Sequence, residues 1–136
     1  DGPLKAKLPI SRTLWLDGGH NPDAGVAIAK LLTNGPPVHV ILGMLKNKDV
    51  AGFLKPFSDK IASLHAVPIP GHEHHDPKDI CLLVQDDMGV LTANPVATVS
   101  EALDRIAATE VNGDVLICGS LYLAGEVLRE NEQIPD

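Results

Sequence analysis

The chain has 136 residues, of which 44% are hydrophobic and 21% are charged, a balance typical of one globular domain rather than a disordered segment. Its net charge of −7 argues against nucleic-acid binding, which needs a basic surface to neutralise phosphates. No apolar run approaches the roughly 20 residues of a membrane-spanning helix, so we expect no membrane partner. Cys81 and Cys118 lie in apolar segments and predict reduced core thiols in a cytoplasmic protein.

The first residues of the chain differ in composition from the rest. Residues 1–12 are polar and contain prolines, which is typical of a linker, so we predict that the folded domain spans residues 13–136. Because the chain also lacks an initiator methionine, we expect it to be part of a longer protein.

Strand and helix patterns then alternate in chain order. Residues 13–16 predict a strand that stops at Asp17, and Asn21-Pro22 resembles a helix N-cap followed by proline at the first helical position. Apolar runs predict further strands over residues 38–42, 63–67, 90–92 and 115–118. Periodicity and caps predict helices over residues 50–57, from Pro77, behind a capping box at Thr98, and after Gly119-Ser120.

This alternation indicates the fold class. Strands that are apolar throughout and are separated by helices predict a sheet that is covered on both faces. We therefore predict a Rossmann-like three-layer α/β sandwich, with a mostly parallel sheet of about six strands.

Three strands are followed by loops of unusual composition, at residues 17–22, 43–49 and 119–120. In a parallel sheet these loops meet at one edge, where ligands bind, and helix N-termini there attract anions. Each loop taken singly is also ordinary turn chemistry, and Gly18-Gly19 matches neither a Walker A loop nor a dinucleotide-binding motif. The residues alone predict an anion-binding α/β domain with Ser120 as the N-cap of the last helix.

Three motifs in these regions resemble the C-terminal domain of folylpolyglutamate synthases/dihydrofolate synthases, a family within the Mur ligase superfamily. Residues 16–22 (L-D-G-G-H-N-P) are similar to the family's D-G-A-H-N-P motif, with Gly19 in place of alanine. Residues 38–48 resemble its second strand and following turn, and residues 117–126 resemble its closing G-S-L-Y-L-x-G-E element. The three motifs occur in the family's order and span most of the chain.

The resemblance implies an ATP-dependent ligase that activates dihydropteroate or folate as an acyl phosphate, which the amino group of L-glutamate then attacks. It also implies that ATP and magnesium are held mainly by an N-terminal ATPase domain of the same chain, which the present sequence lacks. The C-terminal domain would close over ATP and present glutamate, and we predict that the isolated fragment is inactive.

Carried over to this sequence, the resemblance implies that Asp17 contacts ATP and that His20 and Ser120 hold glutamate. It implies no catalytic residue and no metal ligand within the chain. An arginine that the family carries before the first strand is missing, and Arg12 lies too close to the strand to replace it. We leave Lys46 and Lys48 outside the site, because lysines in a turn are usually solvated.

Other side chains have structural interpretations. Residues 72–75 (H-E-H-H) offer potential zinc ligands, but they lie between prolines, and we predict a solvated loop rather than a functional metal site. We expect His39 and His65 to be partly buried strand residues, and Trp15 to pack on the sheet.

Two alternatives to this function remain open from the sequence. The first is another Mur-type ligase with a different substrate. The second is a non-catalytic nucleotide-binding module of flavodoxin-like architecture, in which residues 17–22 form a plain turn.

Overall fold

The computed structural model describes residues 14–109 and 112–132, except for the side chains of residues 130–132. The predicted linker, residues 1–12, lies outside the described residues. The described strands are Leu14–Asp17 (β1), Val38–Leu42 (β2), Ile61–Ala66 (β3), Ala93–Pro95 (β4) and Val115–Cys118 (β5). The described α-helices are Pro22–Leu32 (α1), Val50–Leu54 (α2), Pro77–Met88 (α3), Val99–Ala107 (α4) and Leu121–Glu132 (α5).

The strands form one sheet in the order β1-β5-β2-β3-β4, and every neighbouring pair is parallel. This confirms the predicted α/β class and the parallel sheet. The count of about six strands was wrong for the described residues, which form a five-stranded sheet. The physical reason is that the described part of the chain contains only these five extended apolar segments between its helices.

Two element boundaries differ from the prediction for identifiable reasons. The fourth strand lies at Ala93–Pro95 rather than at residues 90–92, because Val90 is held in the capping turn that follows α3. Its N–H donates to the Val84 carbonyl at 3.1 Å, next to the left-handed C-cap Gly89. The helix predicted over residues 50–57 ends at Leu54 and continues as a 3₁₀ helix, since Pro56 has no N–H for the α-helical ladder.

Helices cover both faces of the sheet, as predicted for a three-layer sandwich. Ile28, Phe53 and Val84 from α1, α2 and α3 are buried in a cluster on one face. Leu103 and Val127 from α4 and α5 are buried in a separate cluster on the other face. None of the described helices is long and apolar enough to cross a membrane.

Three side-chain predictions need correction or comment. His39 and His65 are fully buried rather than partly buried, because α4 covers the face of the sheet on which they lie. Trp15 is half-exposed, since it lies on the edge strand β1, and its indole N–H donates to Asp114 at 3.3 Å. Cys81 and Cys118 are both free and buried, as predicted.

Candidate functional site

The register of the sheet brings three strand ends to one edge. Asp17 of β1 is opposite Cys118 of β5, and Cys118 is opposite Leu42 of β2. Because all three strands are parallel, the loops that follow them leave the sheet side by side. The predicted common edge for residues 17–22, 43–49 and 119–120 is confirmed.

The loop after β1 is a tight turn held by its own side chains. The Asp17 carboxylate accepts a hydrogen bond from the Gly19 N–H at 2.7 Å, and the Asn21 side chain caps α1 by accepting from the Ala24 N–H at 2.8 Å. The His20 ring donates through Nδ1 to a backbone carbonyl in the same turn, at 3.3 Å. A Cβ at position 19 would lie 2.5 Å from the Cβ of Ala24, so glycine suits this turn better than alanine would.

The loop after β5 packs directly on the loop after β2. Gly119 has a φ of +103°, a backbone conformation that favours glycine. A Cβ at this position would lie 2.5 Å from the carbonyl oxygen of Gly43. The two loops therefore meet in close backbone contact, with the Leu42 side chain packed beside it.

Ser120 is the N-cap of α5, as predicted. Its Oγ accepts hydrogen bonds from the N–H groups of Tyr122 at 3.1 Å and Leu123 at 3.4 Å, and the residue is buried. Two of the first amides of α5 are thus already bonded within the protein. The hydroxyl hydrogen of Ser120 remains available to donate to an acceptor in front of the helix.

An open cleft of about 290 Å³ lies in front of this helix, lined by His20, Leu45, Lys48, Gly119, Ser120, Leu121 and Tyr122. It brings together two of the three predicted site residues, His20 and Ser120. Asp17 lies outside it and lines a separate groove of about 180 Å³ between β1 and α1. The three predicted residues therefore divide between two spaces that share no lining residue.

Lys48, which the sequence analysis left outside the site, lies beside His20 and Ser120 in the lining of the cleft. It is half-buried and lines the cleft, whereas Lys46 is exposed. The sequence did not separate the two lysines, since both follow β2 in the same polar turn. The distinction depends on which of them the fold turns toward α5.

Residues 72–75, which we call the histidine loop, pack beside the loop after β2 and are only partly solvated, since His72 and Glu73 are exposed while His74 and His75 are half-buried. The Lys46 N–H donates to the Glu73 carbonyl at 3.2 Å, and the His75 N–H donates to the Met44 carbonyl at 2.9 Å. The His72 ring also stacks on the Tyr122 ring, with centroids 3.9 Å apart and planes inclined by 22°. The histidine loop is thus bonded to the loop after β2 and stacked on α5.

The titratable groups beside the cleft do not form a metal centre or a reactive thiol. Within residues 14–109 and 112–132 there is no group of three His, Cys, Asp or Glu side chains that could hold a metal ion. Burial raises the pKa of the Cys118 thiol, and the nearby Asp17 carboxylate raises it further. The thiol therefore stays protonated at neutral pH and is a poor nucleophile.

Comparison with known proteins agrees with this architecture. Residues 6–130 match the family described as "Dihydrofolate synthetase, C-terminal domain". The chain belongs to this family. The motif that includes Gly119 and Ser120 is thus part of a dihydrofolate synthetase C-terminal domain, and the match favours this family over both alternatives left open by the sequence.

Three relatives illustrate the similarity. The chain is 29% identical over 135 residues to a probable dihydrofolate synthetase of Schizosaccharomyces pombe, covering 90% of this chain and 32% of that protein. It is 28% identical over 123 residues to a folylpolyglutamate synthase of Lacticaseibacillus casei, covering 89% of this chain and 27% of that protein. A Mycobacterium tuberculosis folylpolyglutamate synthase, complexed with ADP and AMPPCP, has the same fold, with a TM-score of 0.78 at 21% identity over 94% of this chain and 31% of that chain. The present chain therefore spans about a third of the length of these relatives.

Proposed function

We propose that this chain is the glutamate-presenting domain of an ATP-dependent ligase that joins L-glutamate to dihydropteroate or a folate. The single observation that carries the proposal is the cleft in front of α5, where His20, Lys48 and Ser120 line one space. Family membership supports the reaction class, since the relatives are dihydrofolate and folylpolyglutamate synthases.

The chemistry of the cleft suits a carboxylate. The Ser120 hydroxyl can donate one hydrogen bond, and Lys48 supplies a positive charge. The Nδ1 proton of His20 is already donated to the Gly18 carbonyl, so this ring can donate to a carboxylate only as an imidazolium, through Nε2. The N-terminus of α5 adds the positive end of a helix dipole on the same side. A glutamate bound here through a carboxylate would leave its amino group free to react.

Asp17 has a different role in the proposal. It lines the separate groove, and a carboxylate accepts hydrogen bonds from ribose hydroxyl or amino groups rather than from phosphates. The similar Mycobacterium tuberculosis enzyme is complexed with ADP and AMPPCP, which supports a nucleotide as the ligand beside this domain. We propose that Asp17 contacts ATP when the domain closes over it.

In the proposed reaction, the acceptor is activated as an acyl phosphate by a separate ATPase domain of the same protein. The glutamate nitrogen forms a bond to the acyl carbon, the bond from that carbon to the phosphate oxygen breaks, and the nitrogen releases a proton as inorganic phosphate leaves. The present domain orients the amine and excludes water, and orientation of this kind removes much of a reaction barrier. The described residues do not fit a magnesium site, so we assign magnesium no step within this domain.

The test compares the 136-residue chain with the full-length protein that would carry it. Phosphate release from ATP and incorporation of labelled glutamate into a folate are measured for both, with circular dichroism melts to verify folding. We expect ligation by the full-length protein only, and a folded chain that neither hydrolyses ATP nor ligates glutamate. Turnover by the chain alone, or a full-length protein that consumes no glutamate, would contradict the proposal.

A further inference from the structure

The His75 side chain fixes the backbone at Lys48. Its Nε2 atom lies 2.7 Å from the Lys48 carbonyl oxygen, and both residues are half-buried. Because a carbonyl oxygen only accepts hydrogen bonds, Nε2 carries the proton and donates. This bond joins residues 27 positions apart in the chain and ends on the lysine that lines the cleft.

The residues around Lys48 are held as well. The Lys48 N–H donates to the Leu45 carbonyl at 3.0 Å, and Asp49 caps α2 by accepting from the Gly52 N–H at 2.9 Å. Together with the His75 bond, these contacts fix the position of the Lys48 backbone. A lysine side chain has four flexible bonds, so a fixed backbone restricts the volume that its ammonium group samples.

The histidine loop is itself anchored where it faces α5. The His72 ring stacks on Tyr122, two residues after the Ser120 cap, so the loop is fixed relative to the helix that forms the other side of the cleft. His74, in contrast, bonds only within its own loop, through Nδ1 to the His72 carbonyl at 2.9 Å. Neighbouring histidines therefore differ in whether their side chains reach the cleft-lining loop.

We propose that His75 is a positioning residue, which holds Lys48 at the distance from Ser120 that a substrate carboxylate needs. The inference rests on the proposed function, because it assigns the cleft to the amino-acid substrate. It adds a role for a loop that the reaction does not otherwise use. His75 contacts neither substrate nor nucleotide and acts only through Lys48.

Three substitutions separate this role from a general effect on folding. His75→Ala removes the donor. His75→Gln restores one, because the glutamine amide nitrogen occupies nearly the position of Nε2 in histidine. His74→Ala is the matched control, since it removes a ring from the same loop without touching the bond to Lys48.

The experiment measures kcat, KM for L-glutamate and KM for ATP in the full-length protein and its three variants, with a melting curve for each. We expect His75→Ala to raise KM for glutamate roughly three- to tenfold, the effect of losing about one net hydrogen bond. KM for ATP should stay unchanged. His75→Gln and His74→Ala should remain within about twofold of wild type, well below that effect.

Two results would overturn the inference. One is a folded His75→Ala protein with a wild-type KM for glutamate, and the other is a His75→Gln protein as impaired as His75→Ala. If His75→Ala does not fold, His75→Asn replaces it, because the shorter asparagine amide does not reach the Lys48 carbonyl. A wild-type protein with no glutamate-dependent turnover is a separate result, which contradicts the proposed function itself.

Discussion

The Nδ1 atom of His39 lies 2.7 Å from the hydroxyl oxygen of Ser63, inside the protein, between β2 and the neighbouring β3. Two residues further along the same face of β3 lies His65, which is also buried. Neither ring nitrogen of His65 has a hydrogen-bond partner among the described residues. The two strands thus place beneath α4 one histidine that is hydrogen-bonded, His39, and one whose ring has no hydrogen-bond partner among the described residues, His65.

The unpaired ring predicts acid sensitivity. The pKa of His65 is lowered from 6.5 to about 4, chiefly by burial, with smaller contributions from repulsion by His39 and Arg105. Below pH 6.5 the unfolded chain takes up a proton on His65, whereas the folded chain does so only near pH 4. The contribution of His65 to stability is therefore present above pH 6.5 and is lost as the pH falls toward 4. We expect a loss of roughly 2–4 kcal/mol in the free energy of unfolding across this interval.

Urea unfolding at several pH values, for wild type and His65→Leu, isolates this effect from other titrating groups. The leucine variant should lose less stability on acidification, and the difference between the two proteins should grow from pH 6.5 to pH 4. Parallel curves for the two proteins would contradict the assignment.

Substitution of Asp17 should separate activity from folding. Asp17→Ala removes the acceptor for the Gly19 N–H in a partly buried turn, which we expect to cost about 0.5–3 kcal/mol of stability. Ligation by the full-length protein should fall much more, because the proposed contact with ATP is lost. Phosphate release, glutamate incorporation and circular dichroism melts measure both effects. A fully active Asp17→Ala enzyme would show that the nucleotide does not contact this residue.

Ser120 and Thr98 offer a matched pair of helix caps. Ser120 caps α5 beside the cleft, and Thr98 caps α4 by accepting from the Glu101 N–H at 3.1 Å. Each substitution by alanine should cost about 0.5–2 kcal/mol of stability. Only Ser120→Ala should also raise KM for glutamate, since it alone removes a donor from the cleft. Equal kinetic effects of the two variants would assign the loss to helix stability rather than to substrate binding.

The histidine loop should not bind a metal ion in stoichiometric amounts. His74 Nδ1 and His75 Nε2 each donate to a backbone carbonyl, and His72 stacks on Tyr122, so coordination through those nitrogens would break existing contacts. Elemental analysis of protein purified without a nickel column should find far less than one zinc per chain. One zinc per chain, lost in His74→Ala, is the opposite result.

Much of the fold could be predicted because local signals coincide with the final elements. The apolar runs at β2 and β5 agree with the observed strands, and the caps at Asn21 and Thr98 begin helices as expected. Ser120 was predictable as a cap for the same reason, since it separates an apolar strand from a periodic helix. These features depend on neighbours in sequence.

Only part of the cleft could be predicted from the sequence. His20 and Ser120 were predicted, whereas the places of Lys48 and Tyr122 depend on contacts between residues far apart in the chain. Lys48 and Lys46 are indistinguishable by composition, and only the fold separates them, since Lys48 lines the cleft while Lys46 is exposed. The stack of His72 on Tyr122 joins residues 50 positions apart, and no local pattern indicates it. Burial of His65 likewise depends on α4, which lies far from β3 along the chain.

The contact between Gly119 and the carbonyl of Gly43 has a mechanical consequence. A Cβ at Gly119 would lie 2.5 Å from the Gly43 carbonyl oxygen and 2.6 Å from the Leu42 side chain, and the backbone part of this contact cannot be relieved by a change of rotamer. We therefore expect the loops after β2 and β5 to move together as one rigid unit. A shift of either loop would then also move the start of α5, which begins at Leu121, and adjustment to a ligand would come from the side chains of the cleft rather than from these two loops.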